Sequence, residues 1–512
     1  MIGVAHMSTR AANPRAKNLA TLLQGIAADA VPNAYVSDLT IDSRHVQPGG
    51  AFVALSGLRT HGLAFVEQAL SRGANAVLWE PTDAVSAPTL PPGVIGIRVP
   101  DLARQLGTIA DRFFDAPSSE VRVAAVTGTN GKTTTAYMLA EAFEKLGLES
   151  AYTGTLGFGR VDAVQARPHT TPDCITVHRE LAELRDNGVR CVGMEVTSHA
   201  LEQHRVAGVR FDAALFTNLT RDHLDYHGTL EAYGEAKARL FEWPTLKQAV
   251  VNIDDAFGAT LVQRVRGTAL TVYGRESLAK TMNASGEACY VHATRIAAEP
   301  VGLSIDVDSS WGRGRLHARL IGAFNVDNLL AILATLLGYD VPLRDALQVL
   351  EQCSAPPGRM EMLIAPGNPL VIVDYAHTPD ALDKALRAAR AHLTGKLVCV
   401  FGCGGERDAG KRPMMGAIAE EHADAVIVTD DNPRGEDGDA IVAAIVAGMR
   451  VPAKAQIVRD RAAAIELAIS RATPGDAVLI AGKGHEDYQI VGGTRRHFSD
   501  REVALAAFGR AS

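Results

Sequence analysis

The stretch that decides the fold is Val123-Ala-Ala-Val-Thr-Gly128-Thr-Asn-Gly131-Lys132-Thr133-Thr134. The apolar run Val121–Val126 predicts a buried strand, and the glycines predict a turn that opens a helix at Lys132. Along that helix Ala136, Leu139, Phe143 and Leu146 share one face. A strand, a glycine turn and a helix in this order present backbone N–H groups and the positive helix end to phosphate oxygens. Gly128, Thr129, Asn130, Gly131, Lys132, Thr133 and Thr134 are therefore the candidate nucleotide-binding residues. Lys132 can reach the outer phosphates, and the Thr133 hydroxyl can bind Mg²⁺. The general pattern GxxxxGK[ST] asks for glycine at position 126, where Val126 stands. The loop is a shorter variant, and an ordinary glycine-rich turn is the plain alternative to ATP binding.

Outward from the loop, strands alternate with helices, which predicts parallel βαβ units and an α/β fold. At roughly 150 residues per domain, the 512 residues predict three domains. Changes of texture divide the chain into a disordered tail (1–17) and segments 18–102, 103–355 and 356–512. The break at 356 falls on Pro356-Pro357-Gly358. Lys+Arg 51 against Asp+Glu 58 gives a formal charge of −7, which argues against nucleic acid as a partner. Aromatics at 5% argue against stacking platforms for single strands. Six cysteines without CxxC spacing predict neither a disulfide framework nor structural zinc, consistent with a reducing cytoplasm. No apolar run reaches the length of a membrane span.

Glu195 ends the apolar strand Cys191–Val196, and a carboxylate at the carboxyl end of a parallel strand lies where open α/β sheets bind ligands. A magnesium ligand is its natural role. A second strand, Ala213–Thr217, leads to Asn218-Leu-Thr-Arg-Asp222-His223-Leu-Asp225. Thr170-Thr171-Pro172 reads as a capping signal before the helix Cys174–Asp186. Lys237, beside Glu235 on a charged helix, reads by itself as a solvated lysine.

Together these motifs resemble the Mur ligase family, the cytoplasmic enzymes that add amino acids to the peptidoglycan precursor. The likeness covers essentially the whole chain after the tail. It implies a UDP-substrate domain over 18–102, a central P-loop ATPase domain with a mostly parallel sheet over 103–355, and a Rossmann-like amino-acid domain over 356–512. It also implies that Glu195, His223 and Thr133 hold Mg²⁺, and that Lys237 carries a carbamate made with CO₂. Thr170, Thr171, Thr197, Gln203 and Arg205 would contact the UDP-MurNAc-dipeptide; Thr197 stands where the family commonly has serine. Asn325, in Gly322-Ala-Phe-Asn325, matches the adenine side, its plain reading being a turn and helix cap.

At the start of the chain, Thr40-Ile41-Asp42-Ser43-Arg44, followed by Phe52 to Gly57 and Leu58 to Gly62, resembles the uridine-nucleotide site, with Ile41 and Ser43 as contacts. Near the end, Pro357-Gly358-Arg359-Met-Glu361 and Asp374 to Asp380 resemble segments that close over ATP. Asp431-Asn432-Pro433-Arg434 resembles the motif that selects meso-diaminopimelate over lysine, because an arginine fork suits the extra carboxylate. Arg407, Gly482 and Glu486 match the remaining contacts to the amino acid. The implied reaction is ATP-dependent ligation of meso-diaminopimelate to the D-Glu γ-carboxylate of UDP-MurNAc-L-Ala-D-Glu through an acyl phosphate. The catalytic set would be Lys132, Lys237, Glu195 and His223. Three substrates on three domains imply a closing motion, and the expected state is a cytoplasmic monomer. A folylpolyglutamate synthetase and a nucleotide-dependent switch without ligase turnover are the competing readings.

Overall fold

The computed structural model describes residues 16–57, 60–83, 85–277, 279–280 and 288–509. The tail expected over 1–17 lies outside them up to residue 15, and so do Leu58 and Arg59. Lys17 and Asn18 pair antiparallel with Val36 and Tyr35.

One compact unit comprises the chain up to Lys132 with Gly147–Ala249 and Arg264–Thr268. Its first sheet is parallel, in the order β1 (Leu39–Thr40), β2 (Ala51–Ala54), β3 (Ala76–Trp79), β4 (Ile95–Arg98). Strands β2 and β3 are buried along their whole length, as a parallel sheet covered on both faces requires. Ala51, Val53, Ala76 and Leu78 pack with helix α1 (Leu102–Phe113). Phe52, Ala54, Val77 and Trp79 fill the opposite face.

The same unit carries β5 (Arg122–Thr127), β6 (Ser150–Gly154), β7 (Gly157–Gly159), β8 (Cys191–Glu195) and β9 (Ala213–Phe216), side by side as β9-β5-β8-β6-β7. All pairings are parallel except β6 with β7. Glu195 lies opposite Val126 and Phe216 opposite Thr127. The register therefore brings the carboxyl ends of β5, β8 and β9 to one edge, where such sheets bind ligands. From β5 the chain turns through the glycine loop into α2 (Lys132–Lys145). Helices α3 (Cys174–Asp186) and α4 (Leu230–Ala238) follow along the chain.

The second unit comprises Thr133–Leu146, Val250–Gln263 and the chain from Ala269 on. Strand β10 (Ala269–Gly274) runs parallel to β11 (Cys289–Glu299), which continues as an antiparallel meander through β12 (Gly302–Ser309) and β13 (Gly312–Ala318). Helix α5 (Phe324–Gly338) is apolar nearly all round and correspondingly buried, and α6 (Leu343–Gln352) follows it. A further sheet orders β14 (Glu361–Leu363), β15 (Leu370–Asp374), β19 (Ala477–Ala481), β16 (Leu397–Phe401), β17 (Ala425–Val428) and β18 (Ala455–Ile457). Only β14 runs antiparallel there. Leu386 of α7 (Pro379–Arg390), Met415 of α8 (Lys411–His422) and Ile445 of α9 (Gly438–Val446) cover one face. Ile465 of α10 (Arg461–Arg471) and Phe508 of α11 (Asp500–Phe508) cover the other. The hairpin β20 (Tyr488–Val491) with β21 (Thr494–His497) precedes α11. No helix among the described residues is long and apolar enough to cross a membrane.

Candidate active site

The phosphate loop leaves β5 at Thr127. Gly128 has φ +145°, and a Cβ there would lie 1.9 Å from Thr217 Oγ1, so only glycine fits. The loop is tied to the segment after β9. Thr129 N donates to Asn218 O at 2.8 Å, Asn130 N to Asn218 Oδ1 at 3.0 Å, and Thr217 Oγ1 to Asn130 O at 2.6 Å. Gly131 (φ +86°) completes the turn before Thr133 and Thr134, which lie buried in the first turn of α2. The Thr127 hydroxyl is buried without a hydrogen-bond partner among the described residues.

Two lysines meet at this loop. Lys132 Nζ donates to Gly128 O at 2.9 Å and Thr129 O at 2.8 Å, and Lys237 Nζ donates to the same Gly128 O at 2.8 Å. Lys237 is 1% exposed, with Nζ 4.2 Å from the centre of the Tyr233 ring. The reading of Lys237 as a solvated lysine is corrected here. Glu231 and Glu235 lie on the exposed side of α4, while Tyr233 and Lys237, four residues apart, share its buried side. Burial, and secondarily the Lys132 charge, holds the Lys237 amine well below the usual lysine range.

Glu195 is buried at the end of β8. Its Oε1 accepts from the Tyr152 hydroxyl and from Thr155 N, the latter at 2.9 Å, and its Oε2 accepts from Thr155 Oγ1 at 3.1 Å. Thr155 Oγ1 also lies 3.2 Å from Thr170 Oγ1, and Thr171 Oγ1 donates to Glu195 O at 3.0 Å. Thr170 thus reaches the carboxylate only through Thr155, Thr171 holds the Glu195 backbone, and neither is the helix cap expected of them. Asp173 caps α3, accepting from Ile175 N and Thr176 N at 3.1 Å each. Arg205 Nη1 donates to Thr171 O at 3.0 Å, its Nη2 to Gln203 Oε1 at 2.6 Å, and Gln203 Nε2 to Tyr226 OH at 2.9 Å. The Thr197 hydroxyl caps the short helix Ser198–Glu202 through Ala200 N at 3.2 Å. His223 (φ +51°) is half exposed and packs against His199, ring centres 4.9 Å apart, and more loosely against Tyr233 at 6.1 Å. His199, Tyr226 and His227 complete this cluster, and burial holds the His199 and His227 imidazoles below their usual value.

Ile41 and Ser43 lie on the first sheet's carboxyl edge, where Ser43 Oγ donates to Gln68 Oε1 at 2.7 Å. In the second unit, Asn325 is inside α5 and is not its cap. Its Nδ2 donates to Ile321 O at 2.8 Å, and its Oδ1 accepts from Asn328 at 2.9 Å.

The remaining residues lie in the second unit, where Asn432, Arg434 and Glu486 form a hydrogen-bonded cluster. Asn432 Nδ2 donates to Glu486 Oε2 at 2.9 Å, and Asn432 Oδ1 accepts from Ile490 N at 2.9 Å. Arg434 has φ +55°; its N–H donates to Ile490 O at 3.0 Å and its Nη1 to Gly405 O at 2.8 Å. Gly482 (φ +118°) allows no side chain, because a Cβ would lie 2.6 Å from Asp431 Oδ2. Burial pushes the Asp431 carboxyl up, against the pull of the nearby Arg461 and Lys483 charges. Pro433 is buried and Arg407 exposed. Sequence reasoning missed Tyr152, Thr155 and Lys483, and the only signal was their position beside turn glycines and strand ends.

No three His, Cys, Asp or Glu side chains among the described residues gather closely enough to hold a metal by themselves. Magnesium needs no such cage, since it usually takes one or two carboxylates plus substrate phosphates and water. Glu195 and the unpartnered Thr127 hydroxyl are hard oxygen donors that fit such an ion. Lys237 as an amine does not fit, whereas a carbamate would.

A glycine loop with two converging lysines, and a cluster of paired charges in the second unit, suit an acid–amino-acid ligase, and the comparisons show that class. The model of the Mur ligase family catalytic domain matches residues 35–114, that of the Mur ligase middle domain 126–336, and that of the Mur ligase glutamate ligase domain 358–484. The chain belongs to the Mur ligase family. It is 52% identical over 474 residues to the UDP-N-acetylmuramoyl-L-alanyl-D-glutamate–2,6-diaminopimelate ligase of Xanthomonas oryzae pv. oryzae, covering 92% of this chain and 94% of that one. The ligase of the same name from Xylella fastidiosa is 48% identical over 498 residues, covering 96% and 97%. A solved structure of a ligase with that name, 34% identical, superposes with a TM-score of 0.72 over 97% of this chain and 99% of that one.

Proposed function

We infer that this chain joins meso-diaminopimelate to the γ-carboxylate of D-Glu in UDP-MurNAc-L-Ala-D-Glu, with ATP cleaved to ADP and phosphate. The observation that carries this reading is the pocket in which Asn432 touches both Arg434 and Glu486. A guanidinium on the Asn432 backbone carbonyl and a carboxylate on its side-chain amide suit an amino acid with a carboxylate and an ammonium at its far end. The relatives' shared name supports the same substrate.

In the first step the γ-carboxylate oxygen attacks the γ-phosphorus of ATP, the bond to the bridging oxygen breaks, and ADP leaves. The diaminopimelate amine then attacks the acyl phosphate, loses a proton, and phosphate leaves. Lys132 neutralises charge on the moving phosphoryl group. Gly128, Thr129, Asn130, Gly131, Thr133 and Thr134 cradle the phosphates, and Asn325 serves the adenine side. Thr170, Thr171, Thr197, Gln203 and Arg205 hold the dipeptide end, while Ile41 and Ser43 hold the uridine end. Arg407, Asp431, Asn432, Pro433, Arg434, Gly482 and Glu486 receive the diaminopimelate. Magnesium would be held by Thr133, Glu195, His223 and a carbamate on Lys237, and supplies neutralisation of phosphate charge when bound. Segments 18–102, 103–355 and 356–512 serve the uridine substrate, ATP and the amino acid respectively, in a cytoplasmic monomer.

The test is product mass and phosphate release with ATP, the UDP-dipeptide and either diaminopimelate or lysine. Release that needs both acceptor and amino acid, with a product heavier by a diaminopimelyl residue, is expected. Phosphate release without an amino acid, or a glutamylated folate as product, refutes the reading.

A further inference from the structure

Lys483 lies in the turn after β19, between Gly482 (φ +118°) and Gly484 (φ +53°), and its side chain is wholly buried. A glycine on either side lets the turn fold back so that this lysine points inward. Its Nζ donates to Glu486 Oε2 at 3.0 Å and to Asn432 Oδ1 at 3.3 Å, and sits 5.3 Å from the centre of the Tyr488 ring. Asn432 Nδ2 donates to the same carboxylate oxygen at 2.9 Å. Glu486 Oε2 thus receives two donors, and Oε1 has no hydrogen-bond partner among the described residues.

A salt bridge that only stapled the turn could use either carboxylate oxygen, and both would serve equally. Here both donors take one oxygen and leave the other open. We propose that Lys483 is a positioning residue for amino-acid selection. Together with Asn432 it clamps Glu486 Oε2, so that Oε1 is held toward the ammonium of the incoming amino acid. Without the clamp the carboxylate turns about its terminal torsion, which is broad, and must be ordered again at each binding event. The Asn432 amide is a clamp in the same sense, since its own atoms are engaged within the pocket. The proposal rests on the reading that this pocket receives diaminopimelate.

The test is steady-state kinetics on the full chain for wild type, Lys483→Met, Lys483→Gln, Glu486→Gln and the double variant Lys483→Met with Glu486→Gln. Lys483→Met should raise the KM for meso-diaminopimelate roughly ten- to a hundredfold, the effect of losing a hydrogen bond to a charged group. The KM values for ATP and the UDP-dipeptide, and kcat, should stay unchanged. Lys483→Gln keeps an N–H donor and should fall between. In the Glu486→Gln background, Lys483→Met should add nothing, which a general loss of packing would not reproduce. Unchanged KM for diaminopimelate, an equal rise in all three KM values, or additive effects in the double variant would overturn the proposal. If Lys483→Met does not fold, Lys483→Gln decides by the same criteria. Wild type that cannot use diaminopimelate refutes the functional reading and this proposal with it; wild type that can, with an unaffected Lys483→Met, refutes the proposal alone.

Discussion

Arg434→Ala should cost most of the preference for diaminopimelate over lysine. Arg434 is half-buried, and its Nη1 is anchored on Gly405 O at 2.8 Å, with a longer contact to Asn432 O at 3.4 Å. The Nε and Nη2 groups make no hydrogen bond among the described residues. That edge is the pair of parallel donors a carboxylate can take. Backbone strain does not confuse the experiment, because arginine and alanine pay similarly for φ +55°. Removing one partner of a desolvated charged pair costs about 2–5 kcal/mol. At about 1.4 kcal/mol per tenfold, kcat/KM for diaminopimelate should fall from about 30-fold to several thousandfold. Residual use of lysine, which has no distal carboxylate, should fall far less. Arg434→Lys should rescue only in part, since one ammonium cannot make two parallel bonds. The assay is kcat/KM for both amino acids on wild type and the two variants. Equal use of lysine and diaminopimelate by wild type, or equal losses for both in Arg434→Ala, would refute the role given to this side chain.

Lys132→Ala should lower kcat by about 10²–10³ in a protein that still folds, and near-normal ADP release by that variant would exclude Lys132 from phosphoryl transfer. Lys237→Ala should lose most activity, and added short carboxylic acids should restore part of it by standing in for the carbamate; full activity of the variant in CO₂-depleted buffer would return Lys237 to a packing role. Arg461 and Asp500 form a wholly buried ion pair at 2.7 Å, so Asp500→Ala should cost roughly 3–5 kcal/mol of stability in denaturant unfolding. Arg461→Met with Asp500→Leu should cost less than Asp500→Ala, because it leaves no lone charge behind. A cost for the single variant below that of the double would contradict this.

Sequence pattern was most informative where backbone chemistry decides the structure. The strand into the loop, the glycines at 128 and 131 and the helix from Lys132 lie where period and turn residues put them, as does α3 over Cys174–Asp186. Parallel registers then brought Glu195 and the Asn218 segment to the loop, which only tertiary pairing could establish. The cap before α3 was misplaced because threonine and aspartate are both good caps. Asp173 took the role, Thr170 meets Thr155, and Thr171 bonds the Glu195 backbone carbonyl. The network Glu180–Arg167–Thr170, with Arg167 Nη2 donating to Thr153 Oγ1 at 2.7 Å and Thr170 O at 2.8 Å, has no sequence signature at all, because its partners come from three separate segments.

The hardest residues to read were lysines, whose burial depends on partners remote in sequence, and the structure separates two kinds. Lys483 is buried against a carboxylate, so its charge is compensated within the fold. Lys237 is buried against a carbonyl and an aromatic ring, with a second lysine on the same carbonyl and no carboxylate within ion-pair distance among the described residues. Desolvation without a counter-ion favours the neutral amine, and a neutral amine is the form that reacts with CO₂. A carbamate there would be an anionic oxygen donor, attracted to the Lys132 ammonium that shares the Gly128 carbonyl with it. The uncompensated burial that would count against Lys237 as a structural residue is therefore the feature that suits it to modification, whereas the paired burial of Lys483 suits it to holding a neighbour in place.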